Sequence, residues 1–147
     1  MSLRTGHIGL NVTDLDRSLA FYRDVLGLPV LAEGKEDDRR YAFLGEGPSP
    51  LVTLWQQAQG EYDPGRAGLH HLALEVDTVE RVGEYEKALR AYGVAFAYEG
   101  VVAHREGSAS GGIFFHDPDG TRLEISAPDG AQGAPVPHTS TPTCGFF

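Results

Sequence analysis

Two histidines and one glutamate in this sequence have side chains that could hold a metal ion together. His7 and His71 each open a stretch in which apolar and polar residues alternate, and Glu124 lies between Leu123 and Ile125. Two imidazoles and one carboxylate suit one divalent ion (Fe, Mn, Zn, Ni or Co) and leave coordination positions open. Substrate oxygens can take those positions, and the ion then stabilises the charge that develops on them. We therefore expect a metal site at these three residues.

An internal repeat relates the two histidines to each other. Residues 6–30 align with residues 70–94 at an offset of 64 residues, so that His7 falls on His71. Identity between the two halves is low, and the order of elements and the hydrophobic pattern carry the alignment. Equivalent positions in two similar halves favour a common role for the two imidazoles.

Each half has the pattern of a strand, a helix and then further strands, in which period-2 and helical hydrophobic spacing alternate. The first half predicts a strand over 7–12, a helix that begins after Asp14 and carries an apolar stripe to Leu26, and strands over 41–44 and 51–56. The second half predicts a strand over 71–76, a helix between Thr78 and Gly93, and strands over 94–98, 112–116 and 121–126, the last two joined by a tight turn at 117–120. We interpret this as an α+β fold of two βαβββ modules whose sheets curl over a shared interior.

The predicted domain ends before a tail of different composition. A single domain over 1–127 contains the two modules, at about 4–60 and 68–127, and residues 128–147 are rich in Pro, Gly, Ser and Thr. Such a composition is typical of disorder. The two aromatic residues Phe146 and Phe147 favour the opposite, a tail that docks on the body or on a partner subunit. The charged run over 35–40 is interpreted as a solvated turn.

The composition rules out several classes of protein. The chain has 147 residues, and 12 lysines and arginines against 21 aspartates and glutamates give a formal net charge of −9. That charge disfavours nucleic acid and anionic membrane surfaces as partners. No apolar run approaches the ~18 residues of a membrane span and no signal peptide is recognisable, so we expect a cytoplasmic protein. The one cysteine, Cys144, rules out an intramolecular disulfide, and we expect it to be incidental.

Further candidates surround the three predicted ligands. His104 lies in a loop rich in small residues and could act as an acid or base near neutral pH. Glu75 shares the predicted polar face of its strand with His71 and could also move a proton. Thr53, Trp55 and Phe114 are expected to line a substrate cavity that would suit an aromatic ligand.

Three segments of the chain carry a family resemblance: HIGLNVTDLDRSLAFYRDVLGL (7–28), GLHHLALEV (68–76) and FFHDPDGTRLEI (114–125). They resemble the vicinal oxygen chelate superfamily, which includes glyoxalases, extradiol dioxygenases, fosfomycin thiol transferases and bleomycin-resistance proteins. The resemblance implies paired βαβββ modules forming a cupped mixed sheet around a central cavity, and a homodimer. It also implies metal ligands at His7, His71 and Glu124.

The resemblance leaves the reaction open. Thr53 stands where glyoxalase I and the epimerases of the superfamily carry a fourth ligand, and it is a poor one. Gly9 and Phe114 depart from the fosfomycin enzymes, whereas extradiol dioxygenases share the set of two histidines and one glutamate. We therefore expect a metal-dependent enzyme whose small substrate chelates the ion through adjacent oxygens, with extradiol-type dioxygenation favoured over glyoxalase-like lyase or isomerase chemistry. The alternative is a non-catalytic protein that sequesters an aromatic drug or natural product.

Overall fold

A computed structural model describes all 147 residues. The chain forms two compact units, Met1–Tyr62 and Asp63–Phe147, and the division between them lies in the stretch that separates the two predicted modules. No helix of the chain has the length and apolar character that crossing a bilayer requires. Each unit has the order of elements βαβββ and one four-stranded mixed sheet, which confirms the predicted fold class.

The sheet of the first unit joins its first strand to its last. Its elements are β1 (Ile8–Val12), α1 (Leu15–Leu19), a π-helical segment (Ala20–Val25), β2 (Val30–Glu36), β3 (Arg39–Leu44) and β4 (Val52–Gln56). The strand order is β1-β4-β3-β2, in which β1 and β4 run parallel and the other neighbours run antiparallel. The parallel pair sets Gly9 beside Thr53 and Asn11 beside Trp55.

Two elements of the first unit differ from the prediction. The Oδ1 of Asp14 caps α1 by accepting the Arg17 N–H at 3.2 Å, as expected. Beyond Leu19 the predicted α-helix widens into the π-helical segment, in which the consecutive Phe21 and Tyr22 are both fully buried. The strand β2 was not predicted because most of its residues are exposed. Its strand conformation is seen only in its pairing with β3. The charged run over 35–40 forms the end of β2, the start of β3 and the turn between them.

The second unit repeats this topology. Its elements are β5 (Leu72–Glu75), α2 (Val79–Tyr92), β6 (Val102–Ala103), β7 (Gly111–His116), β8 (Arg122–Ala127) and a short 3₁₀ turn at Thr143–Gly145. The strand order is β5-β8-β7-β6, with β5 parallel to β8. The predicted strand over 94–98 was wrong: only Phe96 forms a bridge, to Phe115. Gly100, with a φ of 68°, turns the chain after this contact, so that the edge strand is β6.

The second sheet has an aliphatic face and a polar face. On β8, Leu123 and Ile125 alternate with Glu124, as the period of a strand requires. The fully buried Val82 and Leu89 of α2 pack toward β7 and β8 on the aliphatic side. The opposite, polar face carries Glu124 and is the face on which the candidate site lies.

The predicted turn between β7 and β8 is confirmed, and it fixes the register of the polar face. The Oδ1 of Asp117 accepts the N–H groups of Asp119 and Thr121, each at 2.9 Å. This bonding pattern is that of an aspartate whose side chain stabilises a turn. The resulting antiparallel pairing places Phe114 directly opposite Glu124.

We expect Gly112→Ala to destabilise the protein, because the β8 backbone leaves no room for a side chain at this residue. A Cβ at Gly112 would collide with the Ile125 carbonyl oxygen and lie 2.7 Å from the Ser126 Cα. Backbone atoms cannot yield as a flexible side chain can, so the loss should be about 1–3 kcal/mol or more in urea denaturation. Gly83→Ala in α2 is the matched control, since nothing lies within 4 Å of its Cβ position, and it should gain about 0.5–1 kcal/mol. Equal stability of the two variants would show that β7 can move away from β8 at little cost.

Candidate functional site

Glu124 and His71 meet on the polar face of the second sheet. Parallel pairing sets Ala73 beside Glu124, and His71, two residues before Ala73, has the same facing. The His71 Nε2 lies 3.7 Å from the Glu124 Oε2. The glutamate side chain is only 4% exposed, against 22% for the histidine. The structure therefore brings two of the three predicted metal ligands together inside one unit.

The second oxygen of Glu124 is held by His104. The His104 Nε2 contacts the Glu124 Oε1 in a short hydrogen bond. The other ring nitrogen, Nδ1, lies 2.7 Å from the Ser110 Oγ. The main-chain N–H of His104 also donates to the main-chain carbonyl oxygen of Ser110, at 3.1 Å. Ser110 thus closes the loop and orients the imidazole. The predicted acid or base is in direct contact with the predicted carboxylate ligand.

The electrostatics of His71 suit a neutral imidazole. Burial lowers the pKa of His71; the Glu124 carboxylate opposes this shift, and the neighbouring His70 and Arg122 add to it. The Nδ1 atoms of His70 and His71 lie 2.9 Å apart. When His71 donates in this hydrogen bond, the lone pair of its Nε2 faces Glu124. A neutral histidine with that tautomer is the form that binds a metal ion.

The C-terminal tail, residues 128–147, is docked on the second unit rather than disordered. The Thr143 Oγ1 donates to the Ala103 carbonyl oxygen at 2.7 Å, and the Thr143 N–H donates to the His104 carbonyl oxygen at 3.0 Å. These bonds place the next residue, Cys144, beside the site. The candidate ligand atoms of Cys144, His71 and Glu124 all lie within 4.8 Å of one another. The tail thus carries Cys144, which the sequence led us to expect to be incidental, back beside the pair of His71 and Glu124.

The end of the tail covers the polar face. The ring of Phe147 lies 4.9 Å from that of Phe114 and 5.8 Å from that of His71, centroid to centroid. Arg122 donates from Nη1 to the Phe147 carbonyl oxygen at 2.7 Å, and the Tyr98 hydroxyl donates to the Phe146 carbonyl oxygen at 3.2 Å. Phe114, predicted to line a cavity, is fully buried in this arrangement.

Burial and nearby charge raise the pKa values of two groups beside the site, the Cys144 thiol and the Tyr98 hydroxyl. Burial, followed by the charge of Glu124, raises the pKa of the Cys144 thiol. Burial likewise raises the pKa of the Tyr98 hydroxyl, with a smaller effect from Cys144. Burial and the charge of Glu124 thus both favour the neutral thiol form of Cys144.

The first unit holds the remaining predicted residues. His7 lies immediately before β1 and is exposed. Thr53 is buried, and its hydroxyl oxygen accepts the Trp55 Nε1–H at 2.9 Å. The Trp55 ring lies 5.3 Å from that of Tyr41 and 5.7 Å from that of Phe43, so these three half-buried rings form an aromatic cluster on one face of the first sheet. The Thr53 hydroxyl is thus hydrogen-bonded to Trp55, the other residue of this unit that was predicted to line the cavity.

Of the two predicted acid or base residues, only His104 reaches the cluster. Glu75 ends β5 beside Ser126 and is exposed, and no hydrogen bond or ion pair joins it to His71 or Glu124. Ser110 belongs to the site although it was not predicted there. Its position in the small-residue loop that carries His104 was the available signal.

The donor set fits a divalent ion. Glu124 is a buried carboxylate whose Oε1 is held by His104, while its Oε2 faces the Nε2 of His71 without a hydrogen bond. A metal-binding carboxylate is commonly held in this way by a hydrogen bond to its second oxygen. Nitrogen and carboxylate oxygen together suit transition metals.

Two named enzymes are similar to this chain in sequence. A protein named lactoylglutathione lyase from Salmonella typhimurium is 34% identical over 142 residues, which cover 89% of this chain and 98% of that protein. A catechol-2,3-dioxygenase from Bacillus subtilis is 29% identical over 124 residues, 83% of this chain but 40% of that protein.

A solved structure shares the fold of this chain, and a family model identifies its family. The structure of a glyoxylase/bleomycin resistance protein/dioxygenase domain from Frankia sp. EAN1pec superposes with a TM-score of 0.75, at 24% identity, over 87% of this chain and 99% of that chain. The family model matches residues 4–125, which include all three predicted ligands and end before the tail. The chain belongs to the Glyoxalase/Bleomycin resistance protein/Dioxygenase superfamily.

Proposed function

We propose that this protein is a divalent-metal-dependent enzyme whose small substrate chelates the ion through adjacent oxygens. The observation that carries the proposal is the buried Glu124 carboxylate, with one oxygen held by His104 and the other facing His71. His7 is the proposed third ligand. It comes from the family resemblance and from the repeat, in which it is equivalent to His71. The triad forms within one chain or across the two chains of the homodimer that the resemblance implies.

The residues around the ion have distinct proposed roles. A divalent ion bound here supplies Lewis acidity toward substrate oxygens. His104 holds Glu124 in the orientation for binding and, as an imidazole, can hold or move a proton beside the substrate. Ser110 fixes the ring of His104 through its Nδ1. Glu75 remains a second candidate for proton transfer, on the same strand face as His71.

Two reaction classes are supported to different degrees. The lactoylglutathione lyase of Salmonella typhimurium aligns over 98% of its length, whereas the dioxygenase of Bacillus subtilis is matched over 40% of its chain. We therefore place lyase or isomerase chemistry first and dioxygenation second, which reverses the order favoured by the sequence alone. The neutral, hydrogen-bonded Thr53 separates this protein from a four-ligand glyoxalase I site. Its substrate should accordingly differ from that of the lyases it resembles.

The first prediction from this proposal concerns metal content. Natively purified protein should contain one divalent ion per chain by elemental mass spectrometry. Glu124→Ala and His71→Ala should lose it, because each removes a side chain that binds the ion directly. Glu75→Ala, on the same strand face but outside the cluster, is the matched control and should retain the ion. Full metal content in Glu124→Ala would contradict the proposal.

A second candidate function is the binding of an aromatic compound without turnover. It is favoured by the cluster of Tyr41, Phe43 and Trp55, whose flat rings can stack on a polycyclic ligand. Trp55 is the one tryptophan of the chain, so intrinsic fluorescence reports directly on this face.

If the second candidate is correct, polycyclic aromatic compounds should change the Trp55 fluorescence saturably. Phe43→Ala should weaken the binding, since it removes a ring that packs 5.7 Å from Trp55. His71→Ala is the control, and it should bind as well as the wild type because no metal is needed. A fluorescence spectrum that stays constant across such a series of compounds would exclude this function.

A further prediction concerns the pair of His104 and Glu124 in metal-free protein. Removing the imidazole in His104→Ala leaves a buried carboxylate without its partner, which should cost about 1–3 kcal/mol in urea denaturation. Glu124→Gln removes the charge, so the double variant should be more stable than the sum of the single losses implies, by about 0.5–3 kcal/mol. Strictly additive losses would show that the hydrogen bond does not stabilise the fold.

A further inference from the structure

The tail brings a third potential ligand to the pair of His71 and Glu124. We propose that Cys144 binds, as a thiolate, to the same metal ion as His71 and Glu124. This inference rests on the proposed function and extends it, because it assigns to residues 128–147 a part in the metal site. His71, Glu124 and Cys144 all lie in the unit Asp63–Phe147, and Cys144 would join His7 of the proposed triad as a further ligand.

The distances are close to those of a coordination sphere. Two donors on one tetrahedral ion with bonds of ~2.0–2.3 Å lie roughly 3.3–3.6 Å apart. The His71 Nε2 and the Glu124 Oε2 are 3.7 Å apart, and all the donors of the cluster, the Cys144 sulfur included, lie within 4.8 Å of one another. A contraction of roughly 1.5 Å at most would bring the three donors onto one ion.

The position of Cys144 is fixed from both sides. Thr143 is fully buried and is held by two hydrogen bonds to the main chain at Ala103 and His104. Phe147 is held by Arg122 and by the ring of Phe114. A residue between two such anchors keeps its side chain over the site. The loop that presents Cys144 is therefore tied to the same segment that holds His104 against Glu124.

Glu124 supplies the independent evidence that a cation belongs here. Its side chain is 4% exposed, and no hydrogen bond satisfies its Oε2, which points at His71 from beyond hydrogen-bond distance. The charge of a carboxylate on so nearly buried a side chain is costly unless a positive charge compensates it. A divalent ion between Glu124, His71 and Cys144 would provide that charge.

The chemistry of the donor set selects the metal. Sulfur, imidazole nitrogen and carboxylate oxygen together favour Zn²⁺ and Co²⁺ over the harder Mg²⁺ and Mn²⁺. Binding breaks the S–H bond of Cys144, forms a bond from sulfur to the metal and releases one proton to solvent, with no change of oxidation state. The expected occupant is thus a thiophilic divalent cation.

Cobalt substitution tests this inference through absorption rather than activity. Wild-type protein loaded with Co²⁺ should show both visible d–d bands and a near-ultraviolet charge-transfer band from thiolate to cobalt. Cys144→Ser should keep the d–d bands, lose the charge-transfer band, and bind Co²⁺ less tightly by at least the roughly 10–100-fold that loss of a supporting residue costs. Glu124→Ala and His71→Ala should lose both sets of bands, and Glu75→Ala, the control, should match the wild type.

The outcomes separate this inference from the proposed function. Bound Co²⁺ without a charge-transfer band in the wild type, or a band that survives in Cys144→Ser, would overturn the role of Cys144 and leave the other ligands standing. Failure of the wild type to bind Co²⁺ at all would overturn both. A second measurement needs no variant at Cys144: Zn²⁺ should protect the Cys144 thiol of the wild type from alkylation. Equal alkylation rates with and without Zn²⁺ would count against the thiolate ligand.

Discussion

The desolvated carboxylate of Glu124 is the constraint around which the second unit is organised. It lies on β8, an inner strand of its sheet, where a charge must be matched by donors or by a cation. The start of β5 brings His71 and the loop after β6 brings His104 to the carboxylate, while Phe114 of the neighbouring strand β7 lies opposite it. The fold of the second unit thus places the Glu124 carboxylate on an inner strand with residues of the neighbouring elements around it.

The two halves of the repeat carry different side chains at one aligned position on the last strand. In the first sheet the residue that aligns with Glu124 is Thr53, which is neutral and buried and whose oxygen accepts the Trp55 indole N–H. It needs no charged partner, and an aromatic cluster lies next to it. In the second sheet the charged Glu124 draws in histidines and the tail. The duplicated topology therefore provides one aromatic face and one charged face, and the difference follows from a single aligned position.

Local signals in the sequence predicted the parts of the structure that local interactions determine. The alternation around Glu124, the cap at Asp14 and the turn at Asp117 are each settled within a few residues, and each was predicted correctly. The strand β2 pairs with its neighbour β3, but its residues are mostly exposed, so it has no alternating hydrophobic pattern of its own. The docked tail depends on partners far along the chain. Cys144 could not be placed for the same reason: its role depends on how Thr143 and Phe147 are anchored, and their sequence resembles that of a disordered segment.

The parallel pairing of first and last strands has a consequence for how the second unit folds. The hairpin of β7 and β8 is local, whereas β5 can join β8 only when Leu72 meets Leu123, 51 residues later. Closing so long a loop is entropically costly and slow compared with forming the hairpin. An ion shared by His71 and Glu124 would bridge these two chain regions, bind only after loop closure, and stabilise the closed chain in proportion to the logarithm of its concentration. The metal ion would then stabilise the long-range pairing of β5 with β8. The free energy of that pairing would depend on the concentration of free metal.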